Sequence, residues 1–156
     1  DLSYTLADFW SRFLSSEIVE KFERGESSIL VGKSGIELAY EVLYDVERKI
    51  KPRFTENRSI EYWTGWSLAY FQWSTAMKFR EISQYISIDE VASLYSPFHE
   101  MDIRQFCDRM SEIYAERNKQ TNLKRKRLAA GLSQSQLAKL TDIPVRTILQ
   151  YTPIIP

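Results

Sequence analysis

The residues of this chain best suited to recognition chemistry fall between positions 123 and 151. Val145, Arg146, Thr147, Leu149 and Gln150 cluster just after Pro144, and Lys124-Arg125-Lys126-Arg127 places four cations in a row upstream. An Arg guanidinium can hydrogen-bond guanine O6 and N7 in a two-pronged fork, a Gln carboxamide can do the same with adenine N6 and N7, and Val can pack on a thymine methyl. Thr147 and Lys139 suit phosphate contacts, which position a protein on a duplex without specifying sequence. The basic tetrad is the kind of run that neutralises phosphates irrespective of sequence. A solvated helix face is the plain alternative for any such run, but here the tetrad adjoins the other candidates.

The remaining chemistry-bearing residues do not assemble into a site. Gly32-Lys33-Ser34 has the ending of a phosphate-binding loop, yet position 27, where such a loop needs Gly, is Ser, and helix capping by Ser34 explains the residues better. His99 and Cys107, the single His and single Cys, read as a surface histidine and a half-buried thiol rather than metal ligands. Glu37, Glu41 and Glu100 form no pair assignable to acid–base work. The sequence points to no catalytic group, metal or cofactor, and so to a protein that is not an enzyme.

The recognition residues need helices to hold them. Thr121 or Asn122 can cap a helix through Leu123, Arg127, Leu128 and Ala130 that stops at Gly131, a residue able to take positive φ. Ser133 caps a second helix, Gln134 to Leu140, with Leu137, Ala138 and Leu140 as an apolar patch. Thr141-Asp142-Ile143-Pro144 is a turn, and Pro144 opens a third helix whose Ile148 and Tyr151 face back toward Leu137 and Leu140. Val145, Arg146, Thr147, Leu149 and Gln150 are then outward.

Gly131-Leu132-Ser133-Gln134, Leu137-Ala138, Ile143, Ile148 and Tyr151 are spaced in a way that resembles the helix-turn-helix of the Cro/C1 repressor family. In such a motif the second helix crosses the DNA backbone and the third enters the major groove by its N-terminal residues. The resemblance implies that Gln134 bonds a phosphate while Val145, Arg146 and Gln150 meet base edges, with Thr147, Lys124, Lys126 and Lys139 on phosphates. The implied partner is double-stranded operator DNA, bound by a homodimer. Family members pair a Glu after the Tyr151 position with the Arg at 127; position 152 here is Thr. Arg127 is therefore expected to lie toward solvent or to find a carboxylate elsewhere, since burying an unpaired guanidinium is costly. The motif also implies two further helices, so the element reads as partial, followed by an irregular tail over 152–156. Asp1 in place of Met reads as a trimmed or processed start.

A net charge of zero conceals a division. Residues 1–117 hold 14 Lys/Arg and 20 Asp/Glu, giving −6, whereas residues 118–156 hold 7 and 1, giving +6. An acidic N-terminal part is repelled by DNA and has another task, sensing or binding a protein partner. The chain is 44% hydrophobic and 13% aromatic, ample for a globular core. It has no run of 18 apolar residues and no leader pattern, and with one Cys it forms no internal disulfide; these point away from a membrane and toward a reducing cytoplasm.

Residues 1–116 read as an acidic all-helical domain. Thr5 through Glu23 carries apolar residues, from Leu6 to Phe22, at three- and four-residue steps, broken near Ser15-Ser16 and ending by Gly25. Ser34-x-x-Glu37 is a capping box for a helix through Leu38, Val42 and Ile50 that Pro52 ends. A third helix starts near Ser59 with a reach of up to Ile82, Ser87-x-x-Glu90 opens a short one ending before Pro97, and Asp102 caps a last one bearing Ile103, Phe106, Met110, Ile113 and Tyr114. Ser28-Ile29-Leu30-Val31 alone suggests a strand. Tyr62, Trp63, Trp66, Ala69, Tyr70, Trp73 and Met77 form a stripe expected to be core, its outer residues, with Leu68 and Phe71 on the opposite side, offering a docking surface as the sharper reading. Residues 117–122 are a linker or a helix extension.

The expected architecture is thus all-α: a helical N-terminal domain followed by the partial helix-turn-helix at 123–151. The expected function is that of a bacterial-type, DNA-binding transcriptional regulator, of the kind that serves as antitoxin or autorepressor of a toxin–antitoxin operon. The alternative is a protein–protein interaction module whose DNA element is inactive.

Overall fold

The computed structural model describes residues 4–43 and 59–152, and every regular element in them is an α-helix. The chain divides into two compact units, 1–108 and 109–156. The first carries 12 Lys/Arg against 18 Asp/Glu, the second 9 against 3, so their net charges are −6 and +6.

In the first unit, α1 (Leu6–Ser15) opens on a capping box in which Thr5 and Asp8 bond reciprocally, and this bonding holds the Asp8 carboxyl below its ordinary pKa. Ser16 turns extended and breaks the helix where the sequence suggested; α2 (Ile18–Glu23) follows and ends before Gly25 at φ +68°. Residues 28–31 are not a strand. Ser27–Leu30 is a single helical turn, α3, because the Glu26 carbonyl accepts from both Ile29 and Leu30 and only Ile29 is buried. Position 32 must be Gly, since a Cβ there would sit 2.7 Å from the Ser28 carbonyl oxygen. The Ser34–Glu37 box starts α4 (Gly35–Val42); its expected continuation through Ile50 to Pro52 lies outside the described residues.

The Ser59 hydroxyl caps α5 (Ile60–Thr75). This helix stops well short of Ile82, at Ala76 in the left-handed conformation (φ 55°), and α6 (Phe79–Ser83) is a separate element. Its first amide is held from afar by a Glu23 carboxylate oxygen accepting from the Phe79 N–H at 2.6 Å. Then come α7 (Ile88–Ser93), capped by Ser87 and ending before Pro97 as its sequence suggested, and the separate short α8 (Tyr95–Phe98), whose Ser96 is non-helical.

α5 corrects the expectation about the aromatic stripe. Its buried face is Thr64, Ser67, Leu68, Phe71 and Gln72 with Trp63 beside them, whereas Tyr62, Trp66 and Trp73 are exposed, Trp73 to 80%. Leu68 and Phe71, assigned to the outer side, are core. The cause lies in the hydroxyls: Thr64 donates to the Ile60 carbonyl at 2.7 Å and Ser67 to that of Thr64 at 3.2 Å, so these small residues enter the core already hydrogen-bonded. α5 packs on α7 and α8, while α1 packs on α2, α4 and α7. Trp10, Phe13, Phe22 and Phe79 form an aromatic cluster with ring centroids 5.4–6.2 Å apart. Tilted and edge-on pairs of this kind are the favoured arrangements.

α9 (Ile103–Ala129) is one continuous helix of 27 residues. Residues 117–122 are therefore helical, and Asn122 is an interior position rather than a cap. It donates to Asn118 Oδ1 at 2.8 Å and accepts from Arg125 at 2.9 Å. Phe106, Met110 and Ile113 are buried, as their spacing predicted. Asp102 holds the first turn, one oxygen accepting from the Arg104 N–H at 2.9 Å and both meeting its guanidinium; these bonds lower its carboxyl pKa to about 2.

Candidate nucleic-acid interface

The second unit positions the recognition residues through three local devices. The end of α9 is a paired closure around Gly131 at φ +66°: its N–H donates to Leu128 O at 2.9 Å, and the Leu132 N–H donates to Arg127 O at 3.1 Å. Such a left-handed residue satisfies carbonyls that a helix end leaves unpaired. Ser133 then opens α10 (Gln134–Thr141) with a capping box to Gln136, its hydroxyl accepting the Gln136 N–H at 3.1 Å and its own N–H donating to the Gln136 side chain at 2.7 Å. Asp142, also left-handed at φ 53°, ends α10. Pro144 is the N-cap of α11 (Val145–Tyr151) rather than its first residue, its carbonyl accepting from Thr147 and Ile148.

α10 and α11 pack together over a small core of Ala138, Ile148 and Thr152. Leu140 is 71% exposed and Tyr151 43%, so neither fills the place at the α10–α11 contact expected from the spacing. Three-residue spacing puts Tyr151 near Ile148, but with helices of seven and eight residues only the innermost side chain of each is covered.

With Ile148 inward, α11 turns the opposite side to solvent. Val145, Arg146, Leu149 and Gln150 are exposed and Thr147 is half-buried; Arg146 and Gln150, like Val145 and Leu149, are one turn apart and share a face. Lys126 and Lys139 are exposed and Lys124 is half-buried. The exposed side of α11 thus offers a guanidinium fork, a carboxamide and two branched apolar side chains, and the same unit carries these cations.

Gln134 is differently engaged. Its amide donates to the Thr152 carbonyl at 2.6 Å and approaches the Thr152 hydroxyl at 3.1 Å, tying the start of α10 to the end of α11. Nothing in the sequence singled out Thr152 as a fastener; its hydroxyl also donates to Ile148 O at 2.8 Å, and it is buried. Arg127 departs from the expected pairing, for its guanidinium bonds a backbone carbonyl rather than a carboxylate. It is half-buried, Nη1 donates to Leu132 O at 2.6 Å, and its buried Nε has no partner. That acceptor is a carbonyl which α9's closure has carried past the helix end.

Comparison of the chain with family models, curated proteins and solved structures finds no match.

The minor motifs have structural roles. Lys33 pairs with Glu41 and Ser34 caps α4. His99 is stacked on Tyr95 at 4.0 Å with Nδ1 2.9 Å from the Tyr95 carbonyl. Cys107 is half-buried, and that burial pushes its thiol pKa up, away from the reactive thiolate. Among the described residues no group of three His, Cys, Asp or Glu is arranged to hold a metal ion, and no helix is long and apolar enough to cross a membrane.

Proposed function

We propose that this chain is a DNA-binding transcriptional regulator in which α11 reads base edges in the major groove and α10 with the end of α9 rests on the phosphate backbone. The observation that carries this reading is the exposed face of α11, where Arg146, Gln150 and Val145 stand together on a unit of net charge +6. Arg and Gln at one-turn spacing match the two-pronged hydrogen-bonding patterns of guanine and adenine. Lys124, Lys126 and Lys139 supply the sequence-independent attraction, with Thr147 as a neutral phosphate partner. Gln134 joins them by exchanging its Thr152 bond for a phosphate oxygen. A reading helix of seven residues spans few base pairs, so the working form is a homodimer on a two-fold site. The biological setting we assign is a bacterial cytoplasm, with the chain as antitoxin or autorepressor of its own operon.

The test is a titration of the chain against a pool of random-sequence duplexes at several salt concentrations, followed by selection of the tightest binders. Binding whose logarithm falls linearly with log salt, and enrichment of one symmetric motif, support the proposal. Salt-independent or absent binding contradicts it.

A second reading, a protein–protein interaction module, is favoured by one feature: the exposed Tyr62, Trp66 and Trp73 on α5 of the acidic unit. Clustered exposed aromatics are characteristic of interaction surfaces. Both activities fit one chain if each unit performs one of them.

A further inference from the structure

Within the acidic unit, α1, α2 and α4 stand across from α5 around a cleft of about 480 Å³. Phe13, Phe22, Leu38 and Ala39 contribute to one side, Gly65 and Trp66 to the other. Gly35 and Gly65 border open space on this lining, since a Cβ added at either would meet nothing within 4 Å. Small-molecule sites are concave, mostly apolar, roughly 300–1,000 Å³ in volume, and use few polar groups to fix orientation. Here the charged group among the described lining residues is Glu61, one turn before Gly65 on the same face of α5. A hydrogen bond from Ser59 and one from its own backbone amide lower the Glu61 pKa, so it is an anion at neutral pH. Tyr62 and Trp66 lie beside it on the lining, and aromatic faces attract cations. The unit's net charge of −6 acts in the same direction.

We propose that this cleft is a binding site for a small apolar molecule ending in a cationic amine. The apolar body lies among Phe13, Phe22 and Leu38, and the ammonium is held at the rim by Glu61 with the rings of Tyr62 and Trp66. This assignment goes beyond the DNA-reading proposal and does not depend on it.

Phenylbutylamine is a suitable probe and phenylbutyrate its charge-reversed control, titrated into the full chain by calorimetry and heteronuclear NMR. The expected result is saturable one-to-one binding of the amine with shifts centred on Phe13, Leu38 and Ala69, and acid binding weaker by about tenfold or more, the scale of one hydrogen bond to a charged group. Glu61→Gln should bring the two probes together. Gly65→Leu should abolish amine binding while keeping the wild-type helical dichroism and melting, since its side chain enters open space; Gly35→Leu repeats the test from the opposite wall should the first variant not fold. Equal binding of acid and amine, no saturable binding, or persistence of binding in both folded glycine variants would overturn the assignment. Self-association that Gly65→Leu abolishes, without amine binding to the wild type, would do so too, by making a second copy the occupant.

Discussion

Truncating Phe71 and truncating Trp73, two residues apart on α5, should have opposite consequences. Phe71 is fully buried, while Trp73 is 80% exposed. An aromatic side chain buries about 150–250 Å² when fully enclosed, and at roughly 25 cal/mol per Å² that is about 4–6 kcal/mol. Removing such a side chain to Ala from a core costs about 3–5 kcal/mol once partial collapse of the cavity is allowed. Trp73 covers only a fifth of its surface, on the order of 50 Å², which by the same coefficient is about 1 kcal/mol at most. Urea unfolding followed by far-ultraviolet dichroism separates the two: Phe71→Ala should lower the midpoint strongly at unchanged slope, and Trp73→Ala should shift it little. In thermal melts the first change corresponds to roughly 10–20 °C for a domain of this size, the second to a few degrees. A Trp73→Ala variant as destabilised as Phe71→Ala would show that α5 faces the other way, and the aromatic stripe would then be core.

Three further variants and titrations probe other parts of the molecule. Ile148→Ala should cost about 2–4 kcal/mol and preferentially loosen α10 and α11, seen as lost hydrogen-exchange protection there, because Ile148 is the largest side chain of that small core. Arg127→Met should be close to neutral or stabilising in urea melts, since it removes a buried Nε that has no acceptor along with one carbonyl bond; a loss of several kcal/mol would show an acceptor at Nε after all. The Asp102 carboxyl should titrate near pH 2 by NMR in the folded chain. Its pKa is lowered by folding, so its stabilising contribution is fully present above the ordinary carboxylate range and is lost as pH falls toward 2, a dependence that Asp102→Asn should remove.

Capping chemistry is the most legible part of the fold. Ser34, Ser59, Ser87 and Ser133 each accept the backbone N–H expected of an N-cap, because that bond is decided within four residues. Gly131 is readable for the same reason: a helix end needs a left-handed residue there. Ala76 is not, since alanine carries no mark of the left-handed conformation it adopts, and periodicity alone therefore draws α5 too long. The facing of α5 is hidden in the sequence because apolar residues surround nearly the whole helix, leaving periodicity without a contrast to detect. The burial of Thr64 and Ser67 depends on internal hydrogen bonds that periodicity ignores. At the candidate site, the outward set on α11 follows from placing Ile148 inward. The Gln134–Thr152 bond spans 18 residues and the Arg127–Leu132 bond depends on how α9 closes, so both require the three-dimensional arrangement.

The central claim, that α11 reads DNA sequence, is tested most directly by comparing Arg146→Ala with Lys126→Ala on the duplex selected by the wild-type chain and on duplexes mutated at each position. The account predicts that Arg146→Ala loses about 1–3 kcal/mol and its discrimination at one base position, while Lys126→Ala weakens all duplexes alike and reduces the salt slope by about one. Unchanged discrimination in Arg146→Ala, with affinity and salt slope equal to the wild type, would contradict it.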